Sequence, residues 1–536
     1  MNNKLLNSNV IKGSIILGIA SLLSKFIGVL YRVPITAILG DEGVAIYANA
    51  YQIYILILTI SAIGIPAGIS KLISECMALK AYKDVKKIYR TTLIYIGGLS
   101  FFLSIGLWIM SDFIASKMLG ISGLGLTLKV LSPTIFITSI LAVIRGYFQG
   151  LNTMYPTALS QVVEQIFNAI FSITFASYFV QFSISSGAAG SALGTGVGAL
   201  SGLIVILIIS SLSRKSINQK MLDTRVDLHY NTNKILKRIF ITVVPMVMIS
   251  VIFSLITVFD SYILLKELPA SVNYLKNLNL TTYIPIENAL SLDTTSIVAS
   301  LSGQYLNKYI PIINIPVSLI LVISTSSIPS ISAAAAQNYQ EVTVKAEMLL
   351  KTSLLWAFPA AIGLTIFAQP IIHLLYPSTP GGGELLMHGS IVIIFITISQ
   401  ITTSILQGIG KQLIPTINVI MACAVKIILN VFLLKIPLLT IYPLVYSTTI
   451  CYIIFSILNL FALKKLLNLR VKWGKLLFTP LISSLTMGIL GYSLFSFIKL
   501  LAINNNIALI ISIIFSVLIY IPIVKIINTI FKKFIV

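Results

Sequence analysis

Fourteen apolar stretches, each long enough to cross a bilayer, follow one another with polar connections too short to fold alone. A spanning helix needs about 20 apolar residues. By that ruler the stretches fall at 13–39, 44–75, 89–110, 127–148, 156–180, 187–210, 239–266, 305–331, 349–373, 387–408, 414–436, 441–463, 475–498 and 507–530. In hydrocarbon every backbone N–H and C=O must be satisfied within the structure, so such stretches fold as helices. The expected fold is therefore an all-α polytopic membrane protein. A chain that is 57% hydrophobic and only 10% charged cannot cover itself with polar surface at this size. The first apolar run exceeds a signal-peptide core and is followed by no small-residue cleavage site, so the first helix is expected to stay in the mature protein.

A formal net charge of +22 would suggest a nucleic-acid partner in a soluble chain. Here the cations read as topology signals. With the N-terminus inside, 27 of the 37 Lys and Arg residues fall on the inner side, seven on the outer side and three inside helices. This positive-inside balance puts both termini in the cytoplasm. The inner groups include six cations from Lys71 to Arg90, and Arg145 at a helix end. The longest outer connection, 267–304, carries Pro269, Pro285, Glu287 and Asp293 and reads as a partly ordered loop.

Two halves share short motifs. Ile65-Pro66-Ala67-Gly68 ends the second helix and Ile328-Pro329-Ser330 the eighth, an offset of 263. Phe148-Gln149-Gly150-Leu151 leads into the fifth helix, and Leu406-Gln407-Gly408-Ile409 into the eleventh, an offset of 258. A shift of six helices keeps the topology, so the halves form a parallel repeat. Helices one to six (1–215) and seven to twelve (216–465) are expected to form two lobes, with an appended helix pair at 466–536. A substrate usually sits in the cleft between such lobes.

Five ionisable residues lie inside helices: Lys25, Arg32, Glu164, Asp260 and Lys426. A charge near the membrane centre costs at least about 2.5 to 3.5 kcal/mol, so each must pair or face a polar cavity. Lys25 and Arg32 are seven residues apart, two helical turns, and share a face. Two cations on one face leave excess positive charge, which suits an anionic headgroup: arginine's fork fits phosphate and lysine adds a point charge. By depth, Arg32 matches Asp260 and Lys25 nearly matches Glu164. Glu164 is either such a charge partner or a proton or cation site, and Lys426 either a partner or a stiffener of the second lobe. Asn49, Gln52, Ser61, Asn314 and Ser318 read as packing glue between helices.

Enzyme chemistry has little to stand on. His229 lies in a basic loop, and His373 and His388 flank Pro380-Gly381-Gly382-Gly383, a Gly run with no P-loop Lys-Ser/Thr after it. Cys76, Cys423 and Cys451 show no metal or disulfide spacing. No catalytic residue, metal or cofactor is expected.

Ser24-Lys25-Phe26-Ile27-Gly28 with Arg32, Pro34 and Leu39-Gly40 resembles the first helix of the stage V sporulation protein B family. So do Arg145-Gly146-Tyr147-Phe148-Gln149-Gly150, Pro156-Thr157-Ala158 and Ser160 to Gln165, with Leu406 to Lys411, Pro415 and Lys426 in the second half. The likeness covers nearly the whole chain and points to the polysaccharide-transporter branch of the MOP superfamily, with MurJ-type and MATE-type relatives. It implies a flippase of undecaprenyl-pyrophosphate-linked glycans, of the lipid II type, working by alternating access in cell-wall or spore-cortex synthesis. It implies Lys25 and Arg32 as headgroup residues, with Lys308, at the outer end of the eighth helix, in place of a basic residue the relatives carry in that helix. Glycan lipid and membrane lipids are the expected partners, with cell-wall synthases and a coupling ion, Na+ or H+, as further candidates and no nucleic acid. The competing readings are an ion-coupled multidrug exporter, which would need a carboxylate-rich cleft, and a non-transporting scaffold for cell-wall synthases.

Overall fold

A computed structural model describes residues 2–222, 231–286, 289–467, 473–502 and 504–534. Arg225, His229, Glu287, Arg470 and Lys472 lie outside the described residues. The described chain is a succession of helices. They are α1 (Asn2–Leu30), α2 (Arg32–Leu58), α3 (Ile65–Ala78), α4 (Tyr82–Phe113), α5 (Leu124–Gly150), α6 (Tyr155–Phe179), α7 (Ile184–Leu222), α8 (Thr232–Asn277) and α9 (Thr294–Gly303). Then come α10 (Ile310–Gln337), α11 (Tyr339–Ile366), α12 (Ala368–Leu375), α13 (Gly383–Gly389), α14 (Val392–Gly408), α15 (Leu413–Leu433), α16 (Tyr442–Leu467), α17 (Trp473–Leu500) and α18 (Asn505–Phe534).

Among the described residues, twelve helical stretches are long and apolar enough to cross a membrane, or thirteen if α13 and α14, bent by 50° at their junction, form one. The chain is a multi-pass membrane protein. The tally differs from fourteen partly because helix runs from Ile16 to Ala78 as one 63-residue stretch. That is about 95 Å of helix against a hydrocarbon core of about 30 Å. Its break is at Gly40, whose φ of 66° and ψ of 176° lie outside the helical region. Only glycine adopts such a conformation at little cost.

The expected outer loop is mostly helix. α8 runs on to Asn277 and α9 begins at Thr294, which leaves only 278–293 between them. The apolar run ends earlier, but Leu268, Val272 and Leu275 are fully buried on one face. Ser271 Oγ also donates to Leu434 O at 3.1 Å. An amphipathic face persists where the mean hydropathy has already fallen.

The chain divides into two compact units, Met1–Tyr262 and Ile263–Val536, with α8 passing from one to the other. In the first, α7 lies along α6 by means of a glycine at every fourth position. A Cβ at Gly190, Gly194, Gly198 or Gly202 would come within 2.6 Å of Phe175 O, 2.2 Å of Ser172 N, 2.7 Å of Glu164 O or 3.1 Å of Ser160 O. These contacts are with backbone, so the two helices approach as closely as small residues allow. A second contact closes α3 on α5 around Ile65, Ile69, Ile73, Val143, Ile144 and Phe148.

In the second unit, α17 and α18 pair with each other and pack on α11. Gly488 abuts Ile362 and Ile366. Tyr520 of α18 donates its hydroxyl to Leu355 O at 2.8 Å. Phe367, Phe495, Ile498, Ala508 and Leu509 fill the space between them.

The two units repeat the same contacts at one offset. Ser74 Oγ donates to Gly150 O at 3.1 Å, and Ser332 Oγ to Gly408 O at 2.8 Å. A Cβ at Gly150 would meet Ile73 Cβ at 2.6 Å, and at Gly408 would meet Ile331 Cβ at 2.8 Å. The turn after α5 bonds Thr153 N to Phe148 O, and that after α14 bonds Lys411 N to Leu406 O. Asn152 and Gly410 take positive φ in those turns, 58° and 78°. Every pair is 258 residues apart. The offset of 263 inferred from Pro66 and Pro329 is thus five residues out of register: short Pro motifs recur near helix ends without being structural equivalents.

Candidate functional site

α1 packs on α6 through its small residues. Ser21 Oγ donates to Gln161 Oε1 at 3.2 Å and Ser24 Oγ to Gln161 O at 3.3 Å. A Cβ at Gly28 would meet Gln165 Oε1 at 3.6 Å. Ser21, Ser24 and Gly28 follow the i, i+3, i+7 stripe of one helix face. Lys25 is one residue on from Ser24, so it turns away from α6 by about 100°, and its side chain is exposed. It forms no ion pair or hydrogen bond among the described residues.

Arg32 is half-buried at the start of α2, and its Nε donates back to Gly28 O at 3.2 Å. Next to it begins a ladder of tyrosines. Tyr31 and Tyr47 bring their hydroxyls to 3.4 Å, and the Tyr47 hydroxyl lies 3.3 Å from Thr195 Oγ1. Tyr47 stacks on Tyr51 at 5.7 Å between ring centroids, and Tyr51 meets Tyr54 at 5.6 Å. Tyr54 reaches Thr138 Oγ1 at 3.3 Å. Tyr47 and Tyr51 lie in the field of Arg32, and Tyr51 and Tyr54 in that of Glu164. The ladder thus runs from a cation to a carboxylate inside one unit.

Glu164 is paired, and its partner is Arg145 rather than the depth-matched Lys25. Arg145 Nη2 lies 2.7 Å from Glu164 Oε2, with both side chains mostly buried at 15% and 17% exposure. Arg145 Nε also donates to Ser160 Oγ at 2.9 Å. Counted from the sequence as an inner-side cation at a helix end, Arg145 sits within α5, and its side chain reaches α6. At the 258 offset, Arg145, Ser160 and Glu164 correspond to Thr403, Asn418 and Ala422. There a neutral network stands instead: Asn459 Nδ2 donates to Thr402 and Thr403 at 3.2 and 3.1 Å, and Asn418 Nδ2 donates to Asn459 Oδ1 at 2.9 Å. The ion pair belongs to the first unit alone. Removing the carboxylate with Glu164→Ala leaves Arg145 uncompensated and should cost about 3 kcal/mol. Glu164→Gln keeps a hydrogen bond and should cost about 1 to 2 kcal/mol. Thermal midpoints of the two purified variants check the order. A Glu164→Gln protein of wild-type stability would reassign Glu164 from pairing to proton handling.

Asp260 and Lys426 are buried, at 1% and 6% exposure, and both are engaged in polar or electrostatic contacts. Lys426 sits on α15, and its field reaches Tyr309 of the second unit.

Lys308 is the cation whose setting the sequence least foretells. It is fully buried in a π-helical turn, 304–309, ahead of α10. Its ammonium donates to Thr379 O at 2.5 Å, Thr379 Oγ1 at 3.2 Å and Gly381 O at 3.1 Å, and sits 5.2 Å from the centre of the Tyr376 ring. The loop from Thr379 to Gly381, at the start of the Gly run, therefore cradles a cation with two carbonyls and a hydroxyl. Lys308 lies within Tyr305-Leu306-Asn307-Lys308-Tyr309, and 258 residues earlier stands Tyr47-Ala48-Asn49-Ala50-Tyr51. Tyr305 stacks on Tyr309 at 5.5 Å, as Tyr47 does on Tyr51. Both asparagines are buried, at 1% exposure each. This Tyr-x-Asn-x-Tyr pair is a repeat signal visible in the sequence, stronger than the Pro motifs.

The geometry can be set beside known proteins. The chain is 25% identical over 450 residues to the lipid II flippase MurJ of Bacillus subtilis (strain 168), covering 80% of this chain and 78% of that protein. It is 34% identical over 154 residues to stage V sporulation protein B of the same organism, covering 29% of this chain and 30% of that protein. A solved structure of lipid II flippase MurJ in an inward closed conformation superposes with a TM-score of 0.66 at 16% identity, over 97% of this chain and all of that one. An inward-facing multidrug resistance MATE transporter of the MOP superfamily superposes with a TM-score of 0.63 at 17% identity, over 82% of this chain and 96% of that one. The profile of the family described as polysaccharide biosynthesis protein matches residues 10–335, which hold most of α1, all of α2 to α9, the tyrosine ladder, both Tyr-x-Asn-x-Tyr motifs and four of the five intramembrane charges. The chain belongs to that polysaccharide biosynthesis protein family.

Proposed function

We propose that this protein is a flippase for a polyprenyl-pyrophosphate-linked glycan, a lipid II-type cell-wall precursor, and that it works by alternating access. The observation that carries the reading is Lys25: an exposed cation in the middle of an apolar helix, with no ion pair or hydrogen bond among the described residues, and with Arg32 seven residues on, two helical turns by spacing. Such a cation is tolerated where it meets water or an anion. A pyrophosphate offers two negative groups in the space of one turn, and two cations of different geometry suit it. Asp260 serves as the competitor for Arg32 when the anion has left. The excess of cations on one side supports a cytoplasmic position for both termini. With that orientation the inside-negative potential favours outward movement of an anionic headgroup by about 2.3 kcal/mol per charge per 100 mV. The short, higher-identity match to stage V sporulation protein B supports a role in spore cortex synthesis; a deletion strain that fails only at cortex formation is the expected phenotype.

A lipid II accessibility assay tests the headgroup role. Lys25→Ala and Arg32→Ala should each lower outward exposure of the lipid about tenfold, and the double variant more, at unchanged protein level. Normal flipping in the double variant would sink the proposal. The fold likeness to MATE transporters supports a second reading, cationic-drug export, which predicts drug efflux that survives loss of both cations.

A further inference from the structure

We propose that the α3–α4 hairpin carries a binding surface for the phosphodiester headgroups of anionic phospholipids in the leaflet that faces it. The hairpin turns at Lys80, which takes a φ of 58°, and Ala81 N bonds back to Cys76 O at 2.9 Å. Six cations crowd this turn: Lys71, Lys80, Lys83, Lys86, Lys87 and Arg90, and all are exposed. None of them forms an ion pair among the described residues. The two nearby acids are already taken up. Glu75 is bonded to Arg238 at 3.3 Å, and Asp84 is buried beneath the helix at 3% exposure.

The cations are ordered along α4. Lys83, Lys87, Arg90 and Ile94 follow spacings of four, three and four, which is one face. The opposite face, with Asp84, Val85, Ile88, Thr91 and Thr92, is buried against the protein. The exposed face continues past Arg90 as Ile94, Phe101, Phe102, Ile105 and Ile109, of which Ile94 and Phe102 are 71% and 74% exposed. In a membrane protein an exposed run of that kind faces lipid chains. Arg90 precedes Ile94 by about one turn, or 6 Å. The basic stripe therefore stands at headgroup depth on the lipid-facing side, and among the described residues no carboxylate pairs with it. A topology signal requires only that cations lie on this side of the membrane. It does not require them on one lipid-facing stripe, with the nearby described carboxylates paired, as Glu75 is, or buried, as Asp84 is.

The test uses the full chain in a nonionic detergent, titrated with phosphatidylglycerol or phosphatidylcholine. Lipid retained per protein is read by native mass spectrometry. Wild type is compared with Lys83→Gln/Lys86→Gln/Lys87→Gln/Arg90→Gln, and with Lys411→Gln/Lys464→Gln/Lys465→Gln/Lys525→Gln, which removes equal charge from other exposed positions. The stripe variant should bind phosphatidylglycerol about tenfold more weakly while the control holds its affinity, and the difference should shrink at high salt. Should the fourfold variant not purify, Lys83→Gln/Lys87→Gln carries the same expectation at about threefold. Equal weakening in the control would reduce the effect to net charge and overturn the proposal, as would an unchanged stripe variant. Retention of a polyprenyl pyrophosphate but not of phosphatidylglycerol would give the surface to the transported lipid and overturn the phospholipid assignment.

Discussion

Gly194→Ala should lower the thermal midpoint of the purified protein by about 3 °C or more. A methyl group at this position would stand 2.2 Å from the backbone N of Ser172, 2.3 Å from its Oγ and 2.4 Å from its Cα. No rotamer change relieves a clash with backbone, so α7 must lift away from α6 along its length. Overpacking of a tight site costs about 1 to 3 kcal/mol, and a rigid backbone neighbour puts this site at the upper end or beyond. Lifting α7 would also open the contacts of Gly190, Gly198 and Gly202, and it would disturb Ser172 Oγ, which donates to Ser191 O at 2.9 Å. Helix propensity acts the other way, favouring alanine by about 1 kcal/mol, and is overridden. Gly98→Ala isolates that opposing term. Nothing lies within 4 Å of a Cβ at Gly98, so its midpoint should hold or rise. Midpoints measured side by side by detergent-solubilised thermal unfolding decide it. If Gly194→Ala is as stable as Gly98→Ala, the close approach of α6 and α7 is wrong.

The membrane class and the helical architecture were legible because solvent decides them: a long apolar stretch has few alternatives to a helix. Lys25, Arg32 and Glu164 stood out for the same reason, as charges where charge is costly. What was not legible depended on partners distant in sequence. Arg145 lies five residues from the end of α5, and depth there does not distinguish a cation reaching for water from one bonded to Glu164, 19 residues on. Gly190, Gly194, Gly198 and Gly202 have the spacing of a helix-packing stripe, yet Gly196 interrupts the pattern and only the closeness of Ser172 singles out Gly194. The repeat was found through Pro and Gly punctuation. That is accurate for the Gly150 and Gly408 turns, which need particular backbone angles. It misleads at Pro66 and Pro329, because Pro66 stands in the first turn of α3 and residue 329 lies within α10.

Lys308→Met should unfold the region around residues 376–383 before it affects any transport step. Methionine matches the volume of the lysine stem and removes only the ammonium. Two effects oppose each other. Burying a charged amine costs several kcal/mol, and the substitution relieves that cost. It also strips the donor from Thr379 O, Thr379 Oγ1 and Gly381 O, and removes the cation from the Tyr376 ring. The acceptors are partly buried; an acceptor left without a donor costs up to about 1 to 3 kcal/mol, and a charged donor is worth about 1.5 to 3 kcal/mol per bond. With three acceptors on one ammonium the loss wins, by about 3 kcal/mol or more. The loop cannot easily collapse to make up for it. A Cβ at Gly381 would already meet Gln304 Nε2 at 2.3 Å, one at Gly383 would meet Gln369 Oε1 at 2.2 Å, and Gly382 holds a φ of 102°. Lys308→Arg should not rescue, because a planar guanidinium is larger than the fully buried place the ammonium fills. Hydrogen exchange resolved over residues 370–390 should show faster exchange in both variants, together with a lower midpoint. A Lys308→Met protein with wild-type exchange and midpoint, but impaired flipping, would instead make Lys308 a transport residue, and the carbonyl cradle would then be a resting place for a cation that moves.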